Sequence, residues 1–259
     1  MKRKTRTPCA LLIILAMLAL AVSAQPREQA PANHELLTRA RSAYYNLENK
    51  GFKGFAAAVE PNWEVILGDT ATPASLKIFR AVQFSMTVDA NCAVTITHEV
   101  GPNAAKPELE PTVNRIHADV QRLVAGFFNT WRIFVLNSLF PETQIQIENQ
   151  NTHYKLSYTT QDGPVTIAMN GDLAITEWIL AGPTVKRTVK PQFQKTPDGL
   201  LLTDYKQFFN PAGEGIKTTL DFHIEYQNTG GMKLPSKVRL SGMHGTEPVA
   251  AELVFRVKS

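Results

Sequence analysis

Nine segments of alternating apolar and polar residues occupy the chain from Thr143 onward, separated by strong turn chemistry, and leave no stretch there with a helical period. They run over 143–148, 153–160, 164–169, 173–180, 185–195, 200–209, 216–226, 233–241 and 249–257. Alternation places every second side chain on one face of a strand. Asn170-Gly171 and Asp198-Gly199 are hairpin signals, and Gly230-Gly231 and His244-Gly245 mark two more connections. Short sequential links make neighbouring strands antiparallel. A sheet of this kind has one apolar face, and something must cover it.

The remainder of the chain supplies the cover. Asn33 fits an N-cap, and Leu36, Ala40, Ala43, Tyr44 and Leu47 recur at helical spacing before Gly51 ends the run. Phe55, Ala57 and Val59, then Trp63, Val65 and Leu67, alternate as an extended segment broken near Pro61. Leu76 to Val88 and Cys92 to Val100 read as two strands of a hairpin around Asp89-Ala90-Asn91. After a proline-rich loop, a second helix is predicted from Pro111, with Val113, Ile116, Val120, Leu123, Val124, Phe127, Phe128, Trp131, Phe134 and Val135 at spacings of three and four and Pro141 as its stop. Beyond Phe127 the apolar residues spread around most of the circumference, so that half is expected to be buried. Together these elements predict an α+β fold: a strongly curved antiparallel sheet, an incomplete barrel of meander type, wrapped around two or three helices. No repeat of 20 to 50 residues supports a propeller or solenoid.

Residues 1–24 read as a secretory signal peptide: Lys2, Arg3, Lys4 and Arg6 are a basic n-region, Cys9 to Val22 an apolar core, and Val22-Ser23-Ala24 a small-residue cleavage site. Residues 25–33 are then a polar, flexible lead-in and 34–259 a single domain. The expected location is the periplasm, with no integral membrane segment once the signal is removed. Of the 27 Lys and Arg residues, four lie in the leader, and the rest balance the 23 Asp and Glu. A near-neutral mature chain without a basic, aromatic-interleaved cluster carries no electrostatic footprint for nucleic acid.

Chemistry-bearing motifs are lacking. His34-Glu35-Leu36-Leu37 and His98-Glu99-Val100-Gly101 begin like zinc-protease helices, but Thr38 and Pro102 stand where the second histidine belongs. The sequence has no Gly-x-Ser-x-Gly elbow, phosphate loop or dinucleotide fingerprint. Cys92, flanked on its face by Val94 and Ile96, reads as a small buried hydrophobe, and His98 as a satisfied interior polar group. The chain is therefore read as a non-enzyme without metal or cofactor. What remains is apolar surface: Phe127, Phe128, Trp131 and Phe134 on the second helix, with Trp63, Val65 and Trp178 on facing strands, as the walls of a ligand cavity.

The order helix, hairpin strands, long helix and antiparallel run behind a signal peptide resembles the LolA-like superfamily of periplasmic lipoprotein carriers and lipid-binding lipoproteins. The segments that carry the likeness are Leu36 to Phe55 (LLTRARSAYYNLENKGFKGF), Leu201 to Pro211 (LLTDYKQFFNP), Leu234 to Leu240 (LPSKVRL) and Ala251 to Val257 (AELVFRV). The resemblance implies an incomplete barrel with helices as a lid over an apolar cavity. It also implies binding of lipid or the acyl chains of lipoproteins, with envelope donor and acceptor proteins as partners. Two other readings remain open: an envelope protein-protein interaction module with a filled core, and an exported hydrolase whose residues converge only in space.

Overall fold

The computed structural model describes residues 29–136, 140–141 and 145–258. The predicted signal peptide, residues 25–28 of the lead-in and residues 143–144 of the 143–148 segment lie outside them. The chain divides into two compact units, residues 1–36 and 37–259, and the second carries the sheet.

Its strands are β1 (Gly54–Pro61), β2 (Val82–Asp89), β3 (Val94–Val100), β4 (Gln146–Gln150), β5 (His153–Thr160), β6 (Gly163–Asn170), β7 (Ile175–Ala181), β8 (Val185–Thr196), β9 (Gly199–Pro211), β10 (Thr218–Thr229), β11 (Met232–His244) and β12 (Glu247–Val257). They form one antiparallel, curved and unclosed sheet in the order β3-β2-β1-β12-β11-β10-β9-β8-β7-β6-β5-β4. Each of the nine segments expected from Thr143 onward contains a strand among its described residues, the first of them from Gln146. The β12–β1 pairing, with Val59 opposite Phe255, departs from a simple meander: the N-terminal strands extend the sheet from its last strand. Consequently β3 and β4, which flank the long helix in sequence, are the two edges.

Curvature has local causes. The register shifts at Ala168/Met169, Gln192/Phe193 and Glu225/Tyr226, and such bulges bend a strand and increase its twist. Two of them sit beside prolines in central strands, Pro191 next to the second and Pro235 opposite Tyr226 at the third. A proline without an N–H is tolerated inside a sheet at such interruptions.

The helices are α1 (Gln29–Ala43), α2 (Trp63–Leu67), α3 (Pro73–Phe79) and α4 (Glu110–Val135). Two of them correct the sequence reading. Residues 63–67, expected to be extended, are helical because the Asn62 side chain accepts from Val65 N. The front of the expected 76–88 strand belongs to α3, where Thr72 and Ser75 form a capping box ahead of Pro73; strand β2 begins only at Val82. Local capping outweighs a short stretch of alternation in both places. Helix α1 starts at Gln29, ahead of Asn33, and ends at Ala43, with a separate 3-10 turn at Glu48–Lys50 before the left-handed Gly51.

Helix α4 crosses one face of the sheet obliquely, and its side chains meet successive strands. His117 and Gln121 reach β3; Phe128 packs on Phe55 and Phe255; Phe127 stacks on Phe255 and Phe222; Phe134 meets Phe193. Gln121 also completes the β3 edge, accepting from Ile96 N at 2.9 Å and donating to Val94 O at 3.2 Å. An otherwise unpaired strand edge is thereby satisfied by a helix side chain.

Candidate functional site

Between the C-terminal half of α4 and strands β5–β8 lies a groove of about 530 Å³. Its floor is a row of register partners, one per strand: Tyr158 opposite Val165, Val165 opposite Leu180, Leu180 opposite Arg187. Trp178 lies on the same face, one pair further along, opposite Ile167 and Val189. The other wall is Asn129, Arg132 and Ile133 of α4 and Leu136 just beyond its end, with Glu48, Asn91 and Asp162 at the rim. The lining is amphipathic and its size is that of a small-molecule site.

Arg187 is the chemical centre. Alternation along β8 turns it inward with Val189, where its guanidinium donates to Thr130 Oγ1 of α4 and lies 5.5 Å from the Trp178 ring centroid. The Gln207 amide oxygen, in the orientation that satisfies both groups, accepts from Arg187 Nε at 2.5 Å and Nη2 at 3.2 Å. All these partners are neutral. Burial holds the pKa of Arg187 below its ordinary value, opposed by the Tyr205 hydroxyl and reinforced by the nearby charge of Arg132. Arg132 itself donates to Asn91 O of the β2–β3 turn at 3.4 Å. Among the described residues neither arginine forms an ion pair.

Of the seven residues expected to wall a cavity, only Trp178 lines this groove. Phe127, Phe128, Trp131 and Phe134 are between 0 and 1% exposed and pack on one another and on Phe55, Phe193, Phe222 and Phe255. Helix α4 lies close enough to the sheet for these rings to interdigitate, which fills the space between them. Trp131 adds a polar link, donating from Nε1 to the Tyr226 hydroxyl at 3.0 Å, which donates on to Leu202 O at 2.5 Å. Trp63 is buried against Phe79 and Phe84. Val65 is 39% exposed, because residues 63–67 are helical, and lines a depression on the opposite face.

That depression is larger, about 930 Å³, but its charged side chains are already matched across strands. His223 pairs with Asp204 at 2.6 Å, Lys206 with Asp221 at 3.1 Å, and Arg239 with Glu225 at 2.7 Å and Glu252 at 3.0 Å. These pairs are about half exposed, the ordinary furniture of a solvated sheet face. Among the described residues no group of three or more His, Cys, Asp or Glu is placed to hold a metal. Cys92 is buried at the left-handed position before β3 (φ 59°), and burial pushes its thiol up to about 12.

Past α4, Arg41 donates to the carbonyl oxygens of Phe140 at 2.8 Å and Pro141 at 3.2 Å. The Tyr44 hydroxyl donates to Leu173 O and accepts from Ile175 N, each at 2.7 Å, and its desolvation raises its pKa. Gly199 makes that placement possible: a Cβ there would stand 2.7 Å from the Tyr44 carbonyl carbon. No helix among the described residues is long and apolar enough to cross a membrane. The chain matches no family model, no curated protein and no solved structure.

Proposed function

We propose that the mature chain is a non-enzymatic periplasmic binding protein for lipid or lipoprotein acyl chains, built as a LolA-like incomplete barrel whose sheet wraps partly around its helices. The observation that carries this reading is the groove beside α4 that the aromatic core leaves unfilled, where Tyr158, Val165, Leu180 and Trp178 bring apolar and aromatic side chains to an amphipathic floor. Each acyl methylene withdrawn from water contributes about 0.8 kcal/mol, so a short length of chain seated there supplies useful affinity. A role in envelope lipid or lipoprotein trafficking follows if a donor and an acceptor protein compete for the same chain.

The test is native mass spectrometry of the protein purified from a periplasm, followed by organic extraction. A stoichiometric lipid or acylated peptide supports the reading, and an apo mass that takes up no added lipid rejects it. The second reading is an envelope protein-interaction module, favoured by the filled ring cluster of Phe127, Phe128, Trp131 and Phe134. A protein partner that binds the apo chain and ignores lipid would establish it.

A further inference from the structure

The groove contains more than an acyl chain needs. A purely apolar ligand gains nothing from a guanidinium on the floor, and a cation withdrawn from water without a carboxylate partner is costly. Arg187 is nevertheless placed there, opposite Leu180 on β7. Its bonds to Thr130 and Gln207 engage Nε and Nη2. Nη1 takes none among the described residues. Trp178 supplies a π face at 5.5 Å, which steadies the guanidinium without neutralising it. Arg132, from the facing helix, brings a second cation to the same groove. Among the described residues the acids of the groove, Glu48 and Asp162, are exposed at its rim, and neither acts on Arg187 as the Tyr205 hydroxyl and Arg132 do.

We infer that the groove binds an anionic amphiphile: an acyl chain ending in a carboxylate or phosphate, its acid group on Nη1 of Arg187 and flanked by Arg132, its chain along Leu180, Trp178 and Ile133. A charge-assisted hydrogen bond to a partly buried guanidinium is among the strongest polar contacts available. The fixed bonds to Thr130 and Gln207 orient the guanidinium before ligand arrives, so little ordering is required on binding. This inference rests on the acyl-binding reading and adds a head-group requirement to it.

The experiment compares cis-parinaric acid with its methyl ester at pH 7.5, using wild type, Arg187→Gln and Arg132→Gln, with inorganic phosphate as competitor. The expected result is that wild type binds the acid at least tenfold more tightly than the ester. Arg187→Gln should weaken acid binding by at least tenfold more than ester binding, so that the two probes converge, and Arg132→Gln should narrow the gap in the same direction. Equal binding of acid and ester by wild type would overturn the inference while leaving acyl binding intact. Binding of neither probe would remove the acyl-binding reading itself. Displacement of the acid by millimolar phosphate, with no ester binding, would mark a site for a free anion and overturn the amphiphile. Loss of ester binding in Arg187→Gln would mean that the groove has collapsed; Arg132→Gln and the wild-type comparison then decide.

Discussion

The indole of Trp131 donates to the hydroxyl of Tyr226 at 3.0 Å, so that the C-terminal half of α4 is tied to β10 by a hydrogen bond inside an aromatic core. Tyr226→Phe leaves a buried indole N–H and the Leu202 carbonyl without their partner. The expected cost is about 1–3 kcal/mol, read as a lowered denaturant midpoint at unchanged slope. Trp131→Asp, which places a carboxylate among Phe127, Phe128 and Tyr226, is expected to abolish cooperative unfolding. A folded Trp131→Asp chain would contradict the close packing described for α4.

Acid should loosen the opposite end of that helix. The Nδ1 atoms of His98 on β3 and His117 on α4 are 3.0 Å apart, a contact that needs one proton between them, not two. Desolvation and the charge of His98 hold the pKa of His117 below its ordinary value. The unfolded chain therefore binds the proton first as pH falls. Stability is fully present above the ordinary imidazole value of about 6.5 and declines below it, levelling off once pH is under the folded value. Melting temperatures at pH 7.5 and 5 should differ, and His117→Gln should reduce the difference. An identical pH profile in His117→Gln would assign the effect to other groups.

Gln121 guards the β3 edge. Its replacement by Leu keeps the helix but removes both bonds to Val94 O and Ile96 N. The expected outcomes are a loss of about 1–2 kcal/mol and a concentration-dependent dimer, since an uncovered edge offers a row of backbone groups for pairing. Light scattering after size exclusion measures the second outcome. A Gln121→Leu chain that stays monomeric at every concentration would show that the edge is blocked by something else.

In the chain without residues 1–24, Cys92 is the sole thiol. Burial and its elevated pKa make it a poor nucleophile at neutral pH. A thiol reagent should label it slowly in the native protein and completely in denaturant. Rapid native labelling would mean that the β2–β3 turn opens.

The strands and the long helix were legible because their periods are long and uninterrupted: β5 and α4 fall where alternation and the three-four spacing put them. Short elements were not. Asn62 and Thr72 cap helices over residues whose apolar spacing fits a strand equally well, and a cap acts through one hydrogen bond that periodicity does not register. The pairing of β12 with β1 is a long-range choice with no local signature. At the site, Trp178 was legible as an inward aromatic. Ring spacing along α4 does not reveal whether a facing surface stands off or interlocks, and in the structure the rings of Phe127 and Phe128 interlock with Phe55, Phe222 and Phe255. Arg187 was missed although its signal was present: it occupies an inward position in the alternation with Val189, where an apolar residue is the rule.

An acyl chain seated in the groove beside Trp178 touches its indole, and contact quenching reads that touch. Bromine atoms on a fatty acid quench an indole they touch; of the three tryptophans, Trp178 lines the groove, whereas Trp63 and Trp131 are packed among other rings. Saturable quenching by a brominated fatty acid in wild type, lost in Trp178→Phe while uptake of the ligand persists, is expected. Quenching that survives Trp178→Phe, or a failure of the wild-type protein to take up the ligand, would contradict that seating.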